Sequence, residues 1–149
     1  MKNIILEVKK EDAYEEIAQT TSYTGAKMPD DNAYDLIFTT DEDKSMLERF
    51  WNESKNTVCN VLKKELIEED ETNGTYTLSL ELSNSFDESL IESMQRSLFS
   101  FFVMNITSKW YTFTNKEEAT SYAAEAATYM EDVMRKALFK KKPTRPTYD

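Results

Sequence analysis

Apolar residues recur at helical spacing in three long stretches of the chain and at every second position in two short ones. From Asp41 to about Ile67, the residues Leu47, Phe50, Trp51, Val58, Val61, Leu62 and Leu66 follow the i, i+3, i+4, i+7 rule with charges between them. That pattern predicts an amphipathic helix roughly 40 Å long. Residues 86–113 form a second long window, apolar almost all round from Leu98 to Ile106, as expected of a central helix shielded on several sides. A third, from about Asn115 to Lys140, sets Ala119, Tyr122, Ala123, Ala126, Met130, Val133, Met134, Ala137 and Leu138 on one stripe. Residues 10–21 and 32–38 predict shorter helices, with a loop between them that contains Gly25 and Pro29.

The period changes to two at residues 3–8, where Ile4, Leu6 and Val8 alternate, and again at 75–83, where Tyr76, Leu78, Leu80 and Leu82 alternate with polar residues. Each predicts a strand with one buried face. Strands need partners for their backbone groups, so the two are expected to pair as a two-stranded sheet whose open edges favour oligomers. The predicted fold is mainly α (α+β): a bundle of three long helices, short helices and a small two-stranded sheet. It forms one domain over residues 1–142, with a basic, proline-containing tail at 143–149.

Helix boundaries carry a repeated signature. Thr40 precedes Asp41, Glu42 and Asp43, Ser85 precedes Glu88, and Thr114 and Asn115 precede Glu117 and Glu118. Side-chain caps and first-turn acids suit the positive end of a helix. The Asp41–Asp43 spacing resembles the start of a calcium loop, but Met46 stands where the loop needs glycine and Asn52 where it needs glutamate. The acids read as a helix start, and no metal site is expected.

Composition narrows the chemistry. There is no histidine, so the commonest general base and zinc ligand is missing. Cys59, the one cysteine, reads as a packed thiol within a helix. No glycine-rich phosphate loop occurs. The expected protein is not an enzyme and has no cofactor. With a single cysteine, no signal sequence and no apolar run long enough for a membrane span, the expected setting is cytoplasmic, without membrane contact.

Charge is unevenly spread. Residues 135–149 carry +5 and residues 1–134 carry −15. The body therefore repels polyanions, and contact with nucleic acid is expected only through the tail. Candidate partner-binding residues are the aromatics Trp110, Tyr111 and Phe113, near the end of the second long helix, and the tail cations Lys140, Lys141, Lys142 and Arg145.

The stretches "YEEIAQTTSYTGAKM", "TTDEDKSMLERFWNES", "SLFSFFVMNITSKWYTFTNKEEATSY" and "KKKPTRP" together resemble small proteins of phage and prophage structural modules. The order of a long acidic helix, a strand, an aromatic-rich helix and a helix ending in a basic tail resembles head-tail connector or neck proteins. That resemblance implies a virion component that forms homo-oligomers and contacts other phage structural proteins, with no catalytic residue to carry over. The alternative expectation is a binding or regulatory module with an aromatic pocket around Trp110.

Overall fold

The computed structural model describes residues 1–27 and 43–140. In chain order they form β1 (Lys2–Lys9), α1 (Lys10–Lys27), α2 (Asp43–Val61), β2 (Leu66–Thr72), β3 (Thr75–Leu82), a short 3-10 turn (Glu88–Leu90), α3 (Ile91–Thr114) and α4 (Lys116–Ala137). The α+β class holds. In detail, however, the described residues contain four helices of 18 or more residues and three strands, where the sequence pattern predicts three long helices and two strands.

The sheet is antiparallel, in the order β1-β3-β2. The predicted pairing of residues 3–8 with 75–83 is present, with Lys2 opposite Leu82 and Lys9 opposite Thr75. The additional strand is β2, from a segment expected to close the preceding helix in a run of acids. Its signal lies in Asn73–Gly74, flanked by the paired Thr72 and Thr75. Both residues have positive φ, 53° and 77°, as a two-residue hairpin turn of mirror-image type requires. Helix α2 accordingly stops at Val61, and Leu66 lies in the sheet.

Inner positions Ile4, Leu6 and Val8 of β1 and Tyr76, Leu78, Leu80 and Leu82 of β3 are buried. Helix α3 packs against β1 and against all three other helices, as its all-round apolar stretch leads one to expect. From α2, Leu47, Phe50, Trp51, Ser54 and Val58 are buried, one continuous helical stripe. Trp51 lies 4.6 Å from Phe102 and 6.3 Å from Tyr76, centroid to centroid, at the middle of the core. Aromatic pairs at such distances add about 1 kcal/mol each beyond their buried area.

Helices α3 and α4 form an antiparallel hairpin with only Asn115 between them. It is clasped at successive levels: Ser108 Oγ donates to Ala119 O at 3.0 Å, Ser97 Oγ donates to Asp132 Oδ2 at 2.7 Å, and Lys136 Nζ donates to Ser93 Oγ.

Several boundaries differ from expectation. Helix α1 continues through Gly25 to Lys27, where a loop is predicted. One glycine costs a helix only about 1 kcal/mol, and α1 is anchored by buried Ala13, Ile17 and Thr21. The helix predicted from residue 86 begins at Ile91, after a 3-10 turn capped by Asp87 rather than Ser85: Asp87 Oδ1 accepts from Ser89 N at 3.1 Å. Asn115 occupies the cap position of α4 without a capping side-chain bond, and α4 ends at Ala137 rather than Lys140. The predicted helix at 32–38, Thr40 with Asp41 and Glu42, and the tail beyond Lys140 lie outside the described residues. Among the described residues no helix is long and apolar enough to cross a membrane.

Candidate interaction surface

In a strand, the N–H and C=O of each residue point to the same side, and that side alternates along the chain. Two hydrogen bonds fix the phase in β1. Lys10 N–H donates to Gly74 O at 2.8 Å, toward β3, whereas Glu7 N–H donates to Gln95 Oε1 at 2.9 Å, away from the sheet. Asn3, Ile5, Glu7 and Lys9 therefore direct their backbone groups outward, and among the described residues no strand pairs with that edge of β1.

Beside that edge runs a trough of about 420 Å³. One wall is β1, at Glu7 and Lys9; the other is α3, at Gln95, Arg96, Phe99 and Ser100, with Asp12 at one end. The Gln95 side chain stands where the carbonyl of a neighbouring strand would stand. Ile5, 58% exposed, lies on the outer face of β1. An exposed β-branched residue on an edge that no described strand occupies is a surface on which another extended chain can pair.

The opposite edge is guarded. In β2 the register shifts between Leu66 and Glu68, a bulge, and its alternation turns Glu69 and Glu71 toward the inner face beside Leu78 and Tyr76. Bulges and inward charges are devices that keep an edge strand from taking a partner. Four consecutive acids, Glu68 to Glu71, add repulsion between copies.

These inward acids are held by the largest polar cluster described. Glu71 Oε1 accepts from Trp51 Nε1 at 2.6 Å and from Lys10 Nζ at 3.3 Å, and Glu71 Oε2 accepts from Lys55 Nζ at 2.8 Å. Lys10 also donates to Glu48 at 2.6 Å, and Glu48 accepts from Tyr14 OH at 2.9 Å. Glu69 Oε2 accepts from Tyr76 OH at 2.6 Å and from Cys59 Sγ. Burial opposes the charge on Glu71, but Lys55, Trp51 and Lys10 outweigh it and hold its carboxyl below the ordinary range. Burial, then the bonds to Glu48 and Glu69, push the Tyr14 and Tyr76 phenols up. Burial and the bond to Glu69 also push the Cys59 thiol up. Since a thiolate is the reactive form, Cys59 is held in its inert one. The cluster ties α1 and α2 to the hairpin; its acceptors are engaged by donors, and it presents no activated nucleophile.

The residues singled out in the sequence separate. Trp110 and Tyr111 are buried and continue the arc of Val103, Ile106 and Thr107 on α3. Tyr111 lies 5.4 Å from Tyr122 of α4. Phe113, next to last in the helix, is 67% exposed and stacks on Phe50 at 6.3 Å. Lys140 is exposed and pairs its backbone with Phe86. Lys141, Lys142 and Arg145 lie outside the described residues. The trough wall on α3 went unsuspected in the sequence; a clue is the partly polar face formed by Gln95, Arg96, Phe99 and Ser100 at the start of the apolar stretch from Leu98 to Ile106.

Comparison with known protein families, with curated proteins and with solved structures finds no match.

Proposed function

We propose that the chain is a non-enzymatic structural or assembly protein that acts by joining copies of itself, in the manner of a phage or prophage head-tail connector or neck component. The observation that carries the reading is the contrast between the two sheet edges: β1 has no described strand beyond it and Ile5 exposed beside a trough, while β2 is bulged, acidic and turned inward. Two subunits join β1 to β1 in antiparallel fashion, so that two three-stranded sheets become one of six strands, with Gln95 giving up Glu7 N–H to the incoming strand. Such an interface is isologous. The guarded β2 edges then lie outermost and stop further growth of the sheet. Contacts to other virion proteins fall to the remaining surfaces, and any contact to nucleic acid to the basic tail. The phage setting rests on the sequence resemblance alone, and a gene placed among capsid and tail genes would support it.

A pocket around Trp110 is the weaker reading, because Trp110 and Tyr111 are core residues and only Phe113 stands exposed.

Sedimentation of the wild type and of Ile5→Pro tests the proposal. The Ile5 N–H faces away from β3, so proline there removes an outward donor while leaving the β1–β3 ladder whole. We expect a wild-type oligomer and an Ile5→Pro monomer with an unchanged circular dichroism spectrum, and Ile5→Lys should also weaken association. A wild type that stays monomeric at high concentration and low salt, or folded variants that remain fully associated, would sink the reading.

A further inference from the structure

The two sheet edges are defended in different ways. On β2 the bulge and the inward acids belong to the path of the strand itself and cannot be withdrawn while it keeps its place. On β1 the outward N–H of Glu7 is covered by one side chain from another element, Gln95 of α3, whose Oε1 accepts it at 2.9 Å. Neighbouring strands stand about 4.8 Å apart, and a ladder carbonyl meets its N–H at about this same 2.9 Å. One proton serves one strong acceptor at a time, so a strand arriving at Glu7 must first displace the Gln95 amide. Three features make that displacement easy. Met94 and Leu98, which flank Gln95 in α3, are fully buried, so the helix stays in place when the amide swings out. Gln95 itself is half-buried on the wall of the 420 Å³ trough, which gives the amide room. Its carbonyl is also neutral, and holds an N–H only about half as strongly as a carboxylate would.

We propose that Gln95 is a removable latch on β1, an autoinhibitory contact that holds down self-pairing until subunits are concentrated. The latch rests on edge pairing between copies, the function proposed above. Each isologous joint opens two latches, one per subunit. The net worth of one such hydrogen bond changes an equilibrium about five-fold, so the two together raise the dissociation constant of the pair about 25-fold. Dilute subunits therefore stay apart with Glu7 N–H satisfied within the chain, and crowded ones exchange that bond for a strand.

Dissociation constants of the full chain, Gln95→Ala and Gln95→Asn, measured by analytical ultracentrifugation, read the latch. Alanine removes the amide, adds no apolar bulk and suits a helix; asparagine keeps the amide but is one methylene too short to reach Glu7. Both variants should associate about 25-fold more tightly than the wild type. In dilute, monomeric samples the Glu7 amide hydrogen should also exchange about five-fold faster in both variants. Equal dissociation constants for the wild type and Gln95→Ala overturn the latch and leave edge pairing standing. Weaker association of Gln95→Ala does the same, because Gln95 is then part of the joint. An asparagine variant that matches the wild type overturns it too, since polarity rather than reach is then what counts. A Glu7 amide that exchanges equally fast in all three removes the bond on which the latch depends. If none of the three associates at any concentration, edge pairing itself has failed, and the latch falls with it.

Discussion

Asp132 shows how much one side chain carries in this fold. It bridges the α3–α4 hairpin through Ser97 and sits within 3.0 Å of both Arg135 and Lys136, with its side chain 20% exposed. Burial works against its charge, but the bonds from Lys136, Ser97 and Arg135 prevail and bring its pKa to about 2. A carboxyl depressed in the folded state stabilises the fold above its unfolded pKa near 3.8 and loses that contribution as pH falls toward 2. After discounting for partial exposure, Asp132→Asn should cost about 1–2 kcal/mol at pH 7. It should also flatten the stability curve between pH 4 and 2 in urea titrations. A variant whose acid unfolding matches the wild type would refute this role. At the same scale, the aromatic cluster, readable in the sequence either as a hydrophobic clasp over the bundle's end or as a partner site, divides by burial. Trp110 and Tyr111 stand three and four residues after Thr107 and seven and eight after Val103, so helical geometry places them on the buried arc. Phe113, three residues after Trp110 and seven after Ile106, keeps the same spacing but is 67% exposed near the end of the helix.

At the scale of elements, strong periodicity was readable and edges were not. The stripe of α2 and the alternation of β1 and β3 follow from one buried face each, and the structure keeps them. Strand β2 has no apolar face; its inward positions are Glu69 and Glu71, whose orientation makes sense only once Tyr76 and Cys59 are seen to meet Glu69, and Trp51, Lys55 and Lys10 to meet Glu71. No local pattern announces a carboxylate paired with residues 16 to 61 positions away. The Asn73–Gly74 turn was the available cue. A Cβ added at Gly74 meets no atom within 4 Å, so Gly74→Ala tests the backbone alone. With φ at 77°, that change should cost about 1 kcal/mol, read as a lower midpoint in thermal unfolding with the sheet signature kept. No change in midpoint would mean that the turn relaxes to another type. The candidate surface was half legible for the same reason: the edge position of β1 follows from its pattern, but its second wall is brought there by α3, 88 residues further on.

The molecule as a whole is an acidic body with a basic end, −15 against +5. If neighbouring subunits orient through this asymmetry, association should weaken several-fold as salt rises from about 20 mM to about 500 mM, as the screening length falls below the separation of the charges. Light scattering across that range measures it. Association that strengthens with salt would instead assign the joint to apolar contact at Ile5 and its neighbours, with charge opposing it.

The strand that opens the sequence also has a history during synthesis. Strand β1 leaves the ribosome well before its partner β3, which lies 66 to 80 residues later in the chain. At about 5–20 residues per second, translation leaves β1 unpaired for roughly 3–16 s. Throughout that interval the alternating "NIILEV" segment presents both of its backbone edges and an uncovered apolar face. On a crowded polysome, nascent copies would hold such strands side by side, so the newborn chain depends on chaperone cover, or on early contact with another copy, before its own sheet can form.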